Sequence, residues 1–338
     1  MGDKKYILIT GVCGFIGSRM ADWIIKNKTE YEVVGIDNLS GGYLSNITDD
    51  VIFINADLSK DDIRPIFEKY GFKYVYHFAA YAAEGLSPFM RMFNYSNNVL
   101  STMNVVNNCI RYGVERLVYT SSMSVYGYGE NSGEAFDEND QLNPIDPYGV
   151  SKYACEMDIK IANTQHGLDY CIIRPHNVYG VCQNIWDVYR NVIGIWMYNI
   201  LNDMPILIYG DGLQTRAFSY IDDNLPPFWN CADSDKTSAQ TINIGGIVPY
   251  TINEVCECLC KITNYDKVEY REPRHEVKWA VPTYKKSVDL VGYQQKTSLE
   301  EGLRKMWEWA KLQPKRNRKV WSEYEITNGL YSYWKNNK

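Results

Sequence analysis

Tyr148 and Lys152 are the residues of this 338-residue sequence whose types and spacing best fit acid–base chemistry. Their Y-x-x-x-K spacing puts both side chains on one face of a helix, one turn apart. A tyrosine has an unperturbed pKa of about 10, so it needs help to act as a base. A lysine ammonium one turn away favours the phenolate. The pair therefore predicts a tyrosine that takes a proton from a substrate.

The position of this pair separates it from a chance match. The same spacing recurs at Tyr331 and Lys335, but only Tyr148 opens a helix that follows the strand RLVYTSS and the segment MSVYG. Ser122 ends that strand, and ligands of open α/β sheets bind at the carboxyl ends of strands. A hydroxyl there can share a proton with a substrate oxygen and align that oxygen with Tyr148. The alternative is that Ser122 merely ends a strand.

A glycine-rich turn near the N-terminus predicts what lies beside these groups. The apolar run KKYILI reads as a buried strand, and RMADWIIKN has its apolar residues at helical spacing. Between them, TGVCGFIGS places Gly11, Gly14 and Gly17 three residues apart. Glycine permits a tight turn and a close approach of a diphosphate to the backbone. The helix N-terminus then offers N–H groups and a partial positive charge to that anion.

Two acidic residues after the next strands extend this pattern. Asp37 ends the strand YEVVGID, 20 residues after Gly17, where a dinucleotide fold places the acid that binds the ribose hydroxyls. A carboxylate there repels a 2′-phosphate, which predicts NAD and not NADP. The alternative is a turn residue in the DNLSGG loop. Asp57 ends VIFINAD at the place where an acid can meet the adenine amino group, and the strand YVYHFAA ends in small residues.

Composition excludes several other classes of protein. The chain has 45% hydrophobic and 22% charged residues, as soluble globular proteins do. A net charge of −6 argues against a nucleic-acid surface. No apolar stretch is long enough to cross a membrane, and the first strand begins too early for a signal peptide. We therefore expect a cytoplasmic protein with no nucleic-acid or membrane partner.

The cysteines and histidines predict no metal site. Nine cysteines are scattered along the chain, and the CECLC segment lacks the C-x-x-C spacing of a zinc site. The four histidines form no local pair of ligands. We expect free thiols in a reducing compartment.

The order of elements predicts an α/β fold with a Rossmann-like, doubly wound parallel sheet. Strands and helices alternate up to the sixth strand, DYCIIRP, and long helices are expected near 91–112 and 147–167. Beyond Pro175 the elements become shorter, which predicts a smaller mixed α/β substrate domain. We expect an NAD-binding domain over 1–174 and a substrate-binding domain with a C-terminal tail over 175–338. Segments near 218–256 are expected to return to the first domain.

Together these motifs resemble the extended short-chain dehydrogenase/reductase family of nucleotide-sugar epimerases and dehydratases. The segments that carry the resemblance span roughly residues 5–310: TGVCGFIGS, HFAA, SSMSVYG, PYGVSK, RPHNVYG, YGDGLQTRAFSYIDD, NIGG and SLEEGL. Within the family the sequence is most similar to UDP-hexose 4-epimerases. This resemblance implies an NAD-dependent enzyme that acts on a nucleotide-linked sugar.

The resemblance also assigns residues to roles. It makes Ser122, Tyr148 and Lys152 the catalytic set. The residues implied in cofactor binding are Gly11, Gly14, Phe15, Ile16, Gly17, Asp37, Asn38, Asp57, Leu58, Phe78, Ala79, Ala80, Asn98, Tyr148 and Lys152. Those implied in substrate binding are Glu84, Ser122, Asn177, Tyr209, Arg216 and Arg274, with the arginines on the diphosphate and Tyr209 beside the base. One departure concerns the Gly-Asp that follows the last arginine in the family, because this sequence has His275-Glu276 there.

In the family, the residues that follow the catalytic serine differ between enzymes that catalyse different reactions. Dehydratases carry an Asp-Glu pair, and decarboxylases a glutamate, where this sequence has Met123 and Ser124. The 3,5-epimerases use a cysteine in place of Met123. The remaining set suffices for inversion at C4 of the sugar, in which hydride leaves C4, a 4-keto sugar rotates, and hydride returns to the other face. NAD is regenerated and is expected to stay bound.

Glu84 bears on the choice of sugar. If its carboxylate faces the sugar, it repels a C6 carboxylate and favours a neutral UDP-hexose, glucose or galactose or their N-acetyl forms. If Glu84 is instead a solvated loop residue, it does not distinguish one sugar from another. The alternatives are UDP-glucuronate 4-epimerisation, net oxidation or reduction by a related oxidoreductase, and a non-catalytic dinucleotide-binding regulator. The regulator is disfavoured because Tyr148 and Lys152 are both present.

The resemblance further implies a homodimer, in which the helices near 91–112 and 147–167 of two subunits form a four-helix bundle. The basic and aromatic tail over 311–338 is expected to dock on the body of the protein, and the sequence assigns it no function.

Overall fold

The computed structural model describes residues 4–129 and 134–335. In chain order its strands are β1 Lys5–Thr10, β2 Tyr31–Asp37, β3 Ile52–Asn55, β4 Tyr74–His77, β5 Arg116–Thr120, β6 Tyr170–His176, β7 Val178–Tyr179, β8 Ile206–Tyr209, β9 Thr215–Ala217, β10 Ser219–Tyr220, β11 Gln240–Gly245, β12 Pro249–Thr251, β13 Val268–Arg271 and β14 Trp279–Ala280. Its helices are α1 Phe15–Asn27, α2 Arg64–Tyr70, α3 Arg91–Tyr95, α4 Ser101–Arg111, α5 Pro147–His166, α6 Val192–Leu201, α7 Ile221–Asp233, α8 Ile252–Thr263, α9 Lys285–Val291, α10 Leu299–Lys311 and α11 Ser332–Lys335.

Seven parallel strands form the central sheet, in the order β11-β6-β5-β4-β1-β2-β3. The chain starts in the middle of the sheet, builds outward through β2 and β3, and then crosses to β4 on the other side. This reversal next to β1 leaves a crevice at the carboxyl ends of the strands. The predicted doubly wound α/β fold is confirmed.

Two apolar layers cover the sheet because successive side chains of a strand point to opposite faces. Ile7 and Ile9 of β1 are buried in the layer that includes α1 and α7. Leu8, between them, is buried in the other layer with α4 and α5. Burial on both faces explains why the strand sequences are continuously apolar and do not alternate.

The helix expected near 91–112 forms with one irregularity. A π-helical turn over Ser96–Leu100 joins α3 to α4, so one turn contains an extra residue. Between β3 and β4, residues 64–70 form the short helix α2. Before it, Asp57 accepts hydrogen bonds from the backbone and hydroxyl of Ser59, which hold the chain in a turn.

Helix α5 is fixed to the sheet by a buried ion pair. Glu156 accepts two hydrogen bonds from the Arg174 guanidinium of β6, at 2.9 and 2.7 Å. Their side chains are 0% and 1% exposed, respectively. A third bond joins the same guanidinium to the Tyr126 hydroxyl at 2.7 Å. The helix that carries Tyr148 and Lys152 is therefore held in both position and rotation.

Some of the elements after β6 belong to the central sheet and its covering helices, and others form smaller sheets. Strand β11 pairs with β6 in the central sheet, and α7 packs against that sheet. The smaller sheets, β10-β7, β12-β9-β14 and β13-β8, lie outside it. A domain division at residue 174 stays a prediction.

In the described residues, no helix has the length and apolar character needed to span a bilayer. Over the same part of the chain, no group of three or more potential metal ligands is found. All nine cysteines are free thiols.

The tail is docked over the part that the structure describes. Leu330 and Trp334 are buried in an aromatic cluster with Tyr81, Phe89 and Tyr189. Residues 336–338, the last of the predicted tail, lie outside the described residues.

Candidate active site

A cavity of about 580 Å³ opens at the carboxyl ends of the parallel strands. Its walls come from the turns after β1, β2, β4 and β5 and from the smaller sheets beyond β6. The structure brings nearly all the predicted site residues into this cavity: Gly11, Gly14, Phe15, Ile16, Gly17, Asp37, Asn38, Asp57, Leu58, Phe78, Ala79, Ala80, Glu84, Ser122, Tyr148, Lys152, Asn177, Tyr209, Arg216 and Arg274.

The glycine-rich turn forms one end of the cavity. Gly11 has a φ of +68°, and a Cβ there would stand 2.8 Å from the backbone of Ala79. A Cβ on Gly17 would stand 2.2 Å from the Gly11 carbonyl oxygen. Helix α1 follows Gly14, which has no side chain to cap it. Its first N–H groups are therefore available to an anion.

Asp37 lies beside this turn and is already hydrogen-bonded to it. Its carboxylate accepts from the backbone N–H groups of Cys13 at 3.0 Å and Leu39 at 2.7 Å. Burial raises the pKa of Asp37, and these two bonds oppose that rise. Each carboxylate oxygen has a second lone pair, so the group can stabilise the turn and still accept from a ribose hydroxyl.

Asp57 is the more acidic of the two carboxyl groups. Burial raises its pKa, but hydrogen bonds from Lys60 and Ser59 outweigh that effect and bring it to about 2. The carboxylate is therefore ionised at neutral pH and can accept from an amino group.

Tyr148 and Lys152 lie on the first two turns of α5, whose N-terminus is capped by the Asp146 carboxylate. The Lys152 ammonium donates to the Thr120 carbonyl at 2.8 Å and lies 5.9 Å from the centre of the Tyr148 ring. Burial lowers the pKa of Lys152 to about 8, so the ammonium is still mostly charged at pH 7. Burial and the charge of Glu84 raise the pKa of Tyr148, whereas hydrogen bonding to Ser122 opposes that rise.

A chain of hydrogen bonds leads from the catalytic serine to a carboxylate. The hydroxyl groups of Ser122 and Ser124 are 2.9 Å apart, and the Ser124 hydroxyl donates to Glu84. Sequence reasoning gave Ser124 no role and did not predict its contact with Glu84. Glu84 and Ser124 are 40 residues apart in sequence, so no local spacing indicates their contact.

A second carboxyl group lies close to Glu84. Burial and the charge of Glu84 raise the pKa of Asp146 to about 7. Asp146 also accepts from the Gly149 backbone at 2.9 Å, as a helix cap does. Two carboxyl groups, Glu84 and Asp146, therefore act on Tyr148, together with the positive charge of Arg190.

The two predicted arginines also line the cavity. Arg216 forms an ion pair with Glu276 at 3.1 Å, and the Arg274 guanidinium lies 3.5 Å from the centre of the Tyr209 ring. Glu276 also lines the cavity, where the sequence departs from the family's pattern. This part of the cavity can bind an anionic group through two guanidinium groups.

Asn98 does not line the cavity. It is 1% exposed, and its side-chain oxygen accepts from the Tyr81 backbone at 2.9 Å. Asn97 and Ser101 line the cavity instead, on the π-helical turn and directly after it. Asn98 therefore lies behind residues 78–81, which line the cavity, and its side chain is hydrogen-bonded to the backbone of this segment.

Arg190 is a cavity residue that sequence reasoning missed. It forms an ion pair with the buried Asp187 at 3.2 Å and donates to the Ala82 carbonyl at 3.3 Å. A Cβ on Gly41 would stand 2.6 Å from one of its terminal nitrogens. Its segment has no periodic or motif signal, so only the tertiary structure places it.

The cavity fits a dinucleotide such as NAD. The turn at Gly11–Gly17 would hold the diphosphate on uncapped N–H groups, while Asp37 and Asp57 would hold the adenosine. The small side chains of Ala79 and Ala80 would leave room for the cofactor in the same cavity as Tyr148 and Lys152.

A doubly wound sheet, a glycine-rich turn and a Ser-Tyr-Lys set in one cavity define an NAD-dependent enzyme of the short-chain dehydrogenase/reductase type. Comparison with known proteins narrows that class. Residues 7–245 match the NAD dependent epimerase/dehydratase family, and the chain belongs to it.

Three solved structures illustrate the similarity, and each covers 90–91% of this chain. A UDP-glucose 4-epimerase of Thermotoga maritima, with UDP-glucose, is 32% identical and has a TM-score of 0.84, and the match covers 98% of its chain. A UDP-N-acetylglucosamine 4-epimerase of Methanobrevibacter ruminantium, in complex with UDP-N-acetylmuramic acid, is 29% identical, covered over 98%, with a TM-score of 0.83. A UDP-glucuronic acid 4-epimerase of Bacillus cereus, with UDP-glucuronic acid and NAD, is 29% identical, covered over 99%, with a TM-score of 0.83.

Proposed function

We propose that this protein is an NAD-dependent 4-epimerase of a UDP-linked hexose. The observation that carries the proposal is that Ser122, Tyr148 and Lys152 line the same cavity as a glycine-rich turn and a pair of arginines. The solved relatives named above support the same reaction, because their names describe 4-epimerases of three different UDP-sugars.

The residues of this chain have defined roles in that reaction. Tyr148 takes the proton of the sugar 4-hydroxyl as hydride leaves C4, and Ser122 holds the same oxygen. Lys152 favours the phenolate because its ammonium is charged at pH 7. When bound, NAD supplies a hydride acceptor that also gives the hydride back.

Inversion requires the sugar to turn while the nucleotide stays bound. Asn177, Arg216 and Arg274 hold the nucleotide side, and the 4-keto sugar presents its other face. Hydride returns to C4 as Tyr148 returns the proton to the oxygen. Atoms and electrons balance without net oxidation, so the enzyme needs no external cofactor during turnover.

The charges around Tyr148 favour a neutral hexose as the substrate. Glu84 accepts a hydrogen bond from Ser124, whose hydroxyl contacts that of Ser122, and the charge of Glu84 acts on Asp146. A C6 carboxylate placed among these groups would meet like charges in a buried site. UDP-glucose, UDP-galactose and their N-acetyl forms therefore fit this cavity better than UDP-glucuronate.

Sugar-proton NMR tests both the reaction and the substrate. The purified protein is incubated with UDP-glucose, UDP-galactose, their N-acetyl forms and UDP-glucuronate, without added NAD. We expect a neutral pair to interconvert at C4, and UDP-glucuronate to react at least about tenfold more slowly. Glu84→Gln should reduce that difference because it removes the repelling charge. Inactivity with every neutral sugar, or release of NADH during turnover, would contradict the proposal.

We also propose a homodimer formed through a four-helix bundle, as the resemblance implies. Apolar side chains stand exposed on the two helices concerned: Met92, Leu100, Val150, Met157 and Ile161. Two copies of this face would bury these side chains against each other.

Light scattering tests the homodimer. We expect a dimer for the native protein and a monomer for Met157→Glu, because the charge would be buried in the bundle. Leu213→Glu, at a 63% exposed residue elsewhere, should stay dimeric. A native monomer at micromolar concentration would overturn this part of the proposal.

We place the enzyme in the cytoplasm, and the nine free thiols support a reducing compartment.

A further inference from the structure

The C-terminal segment, residues 312–335, follows α10 and runs back across the body of the protein to the cavity. The Lys319 backbone N–H donates to the Trp186 carbonyl at 2.9 Å. The hydroxyl groups of Tyr324 and Tyr189 are 2.7 Å apart. Further along, the Glu325 carboxylate accepts from two backbone N–H groups at the start of α3, at 2.7 and 2.8 Å. These contacts hold the segment along its length.

Its last turn, α11, forms part of the cavity. Tyr331 and Trp334 line it. Between them in sequence, Tyr333 accepts a hydrogen bond from Nε of Arg274 at 2.8 Å. The Tyr331 hydroxyl also accepts a long bond, 3.5 Å, from the His275 backbone. The hydroxyl groups of Tyr331 and Tyr333 therefore contact His275 and Arg274. Arg274 is one of the two arginines predicted to bind the diphosphate.

The guanidinium of Arg274 is held on two sides. Its central carbon lies 3.5 Å from the centre of the Tyr209 ring and 5.1 Å from that of Tyr333. The contact with the Tyr209 ring and the hydrogen bond from Nε together restrict the orientation of the guanidinium. Among the described residues, no hydrogen bond from its two terminal nitrogens is found. Those nitrogens remain available to a ligand in the cavity.

We propose that Tyr333 is a positioning residue, which orients the Arg274 guanidinium toward the diphosphate of the nucleotide sugar. This inference rests on the proposed function, because that function assigns Arg274 to the diphosphate. A free arginine side chain samples many rotamers, and a preformed orientation reduces the entropy lost when the ligand binds. The match to the family ends at residue 245, so it contains neither member of this pair.

Tyr333→Phe isolates the contact because it removes one hydroxyl and keeps the ring. We expect the dissociation constant of UDP, measured by calorimetry, and the KM of the UDP-sugar to rise about tenfold, as is typical for a hydrogen bond to a charged group. The kcat should change less than twofold, and bound NAD should be retained. Tyr324→Phe is the matched control, since it removes a hydroxyl of the same segment that does not contact Arg274.

A double-mutant cycle separates positioning from general docking of the segment. If Tyr333 acts through Arg274, Arg274→Ala with Tyr333→Phe binds UDP no more weakly than Arg274→Ala alone. The inference is overturned if Tyr333→Phe leaves UDP affinity within twofold of native, or if Tyr324→Phe weakens binding equally. Unchanged UDP affinity in Arg274→Ala would instead overturn the role of Arg274 in the proposed function.

Discussion

Replacing Tyr148 by phenylalanine should lower the rate of C4 inversion by about 10³-fold, the range expected for loss of a general acid–base group. The phenol is buried, and in the proposed reaction its oxygen is the group that meets the sugar hydroxyl. Phenylalanine keeps the ring and its packing but holds no proton to exchange. The bound NAD should remain, because the glycine-rich turn and Asp37 are untouched.

The measurement compares kcat, NAD content and thermal unfolding for Tyr148→Phe and for a control on the same helix. Tyr153→Phe serves as the control, since Tyr153 directly follows Lys152 on α5 and does not line the cavity. We expect the control to retain native turnover and both proteins to retain NAD. Turnover of Tyr148→Phe within tenfold of native would refute the assignment of the base.

Replacing Glu156 by alanine should destabilise the protein by about 3–5 kcal/mol, the range for breaking a buried ion pair. The guanidinium of Arg174 is almost completely buried, and Glu156 is its only carboxylate partner within hydrogen-bond distance among the described residues. Alanine would leave that charge in the interior with only the Tyr126 hydroxyl and a long contact to the Glu138 carbonyl.

Denaturant unfolding at a fixed NAD concentration measures this effect, because bound cofactor itself stabilises the native state. Glu300→Ala is the control, since Glu300 pairs with Arg304 on the surface of α10 at 2.7 Å with 65% of its side chain exposed. We expect that control to cost less than about 1 kcal/mol. Equal losses for the two variants would show that the buried pair contributes no more than a surface pair.

The parts of this molecule that sequence reasoning predicted are those with local causes. The spacing of Gly11, Gly14 and Gly17 is dictated by a single turn, and a Cβ on Gly17 would meet the backbone of the same turn. The one-turn spacing of Tyr148 and Lys152 is a property of one helix. Continuous apolar runs follow from strands that are covered on both faces.

The parts that were missed depend on contacts between distant segments. Glu84 reaches Ser124 through a loop, and Arg190 is oriented by Asp187 and the Ala82 carbonyl. Asn98 was assigned to the cofactor, but the structure places it behind the cavity wall and Asn97 in the lining. Asn98 was assigned through the resemblance, and in this structure both residues lie on the π-helical turn Ser96–Leu100, whose extra residue changes the direction of the side chains relative to an ordinary helix.

The placement of β11 has a consequence for the order in which the protein can fold as it is synthesised. Strand β6 pairs with β11, but all the residues between them are translated first. Arg116 of β5 likewise donates to the carbonyls of Ala232 and Ser234, which are made much later. A nascent chain that ends after β6 therefore exposes an unpaired strand edge, and its Arg116 guanidinium has the Asp169 carboxylate as a partner but lacks these two carbonyls. Complete formation of the cofactor-binding half must await the emergence of residue 245 from the ribosome, which gives chaperones a defined interval in which to protect that edge.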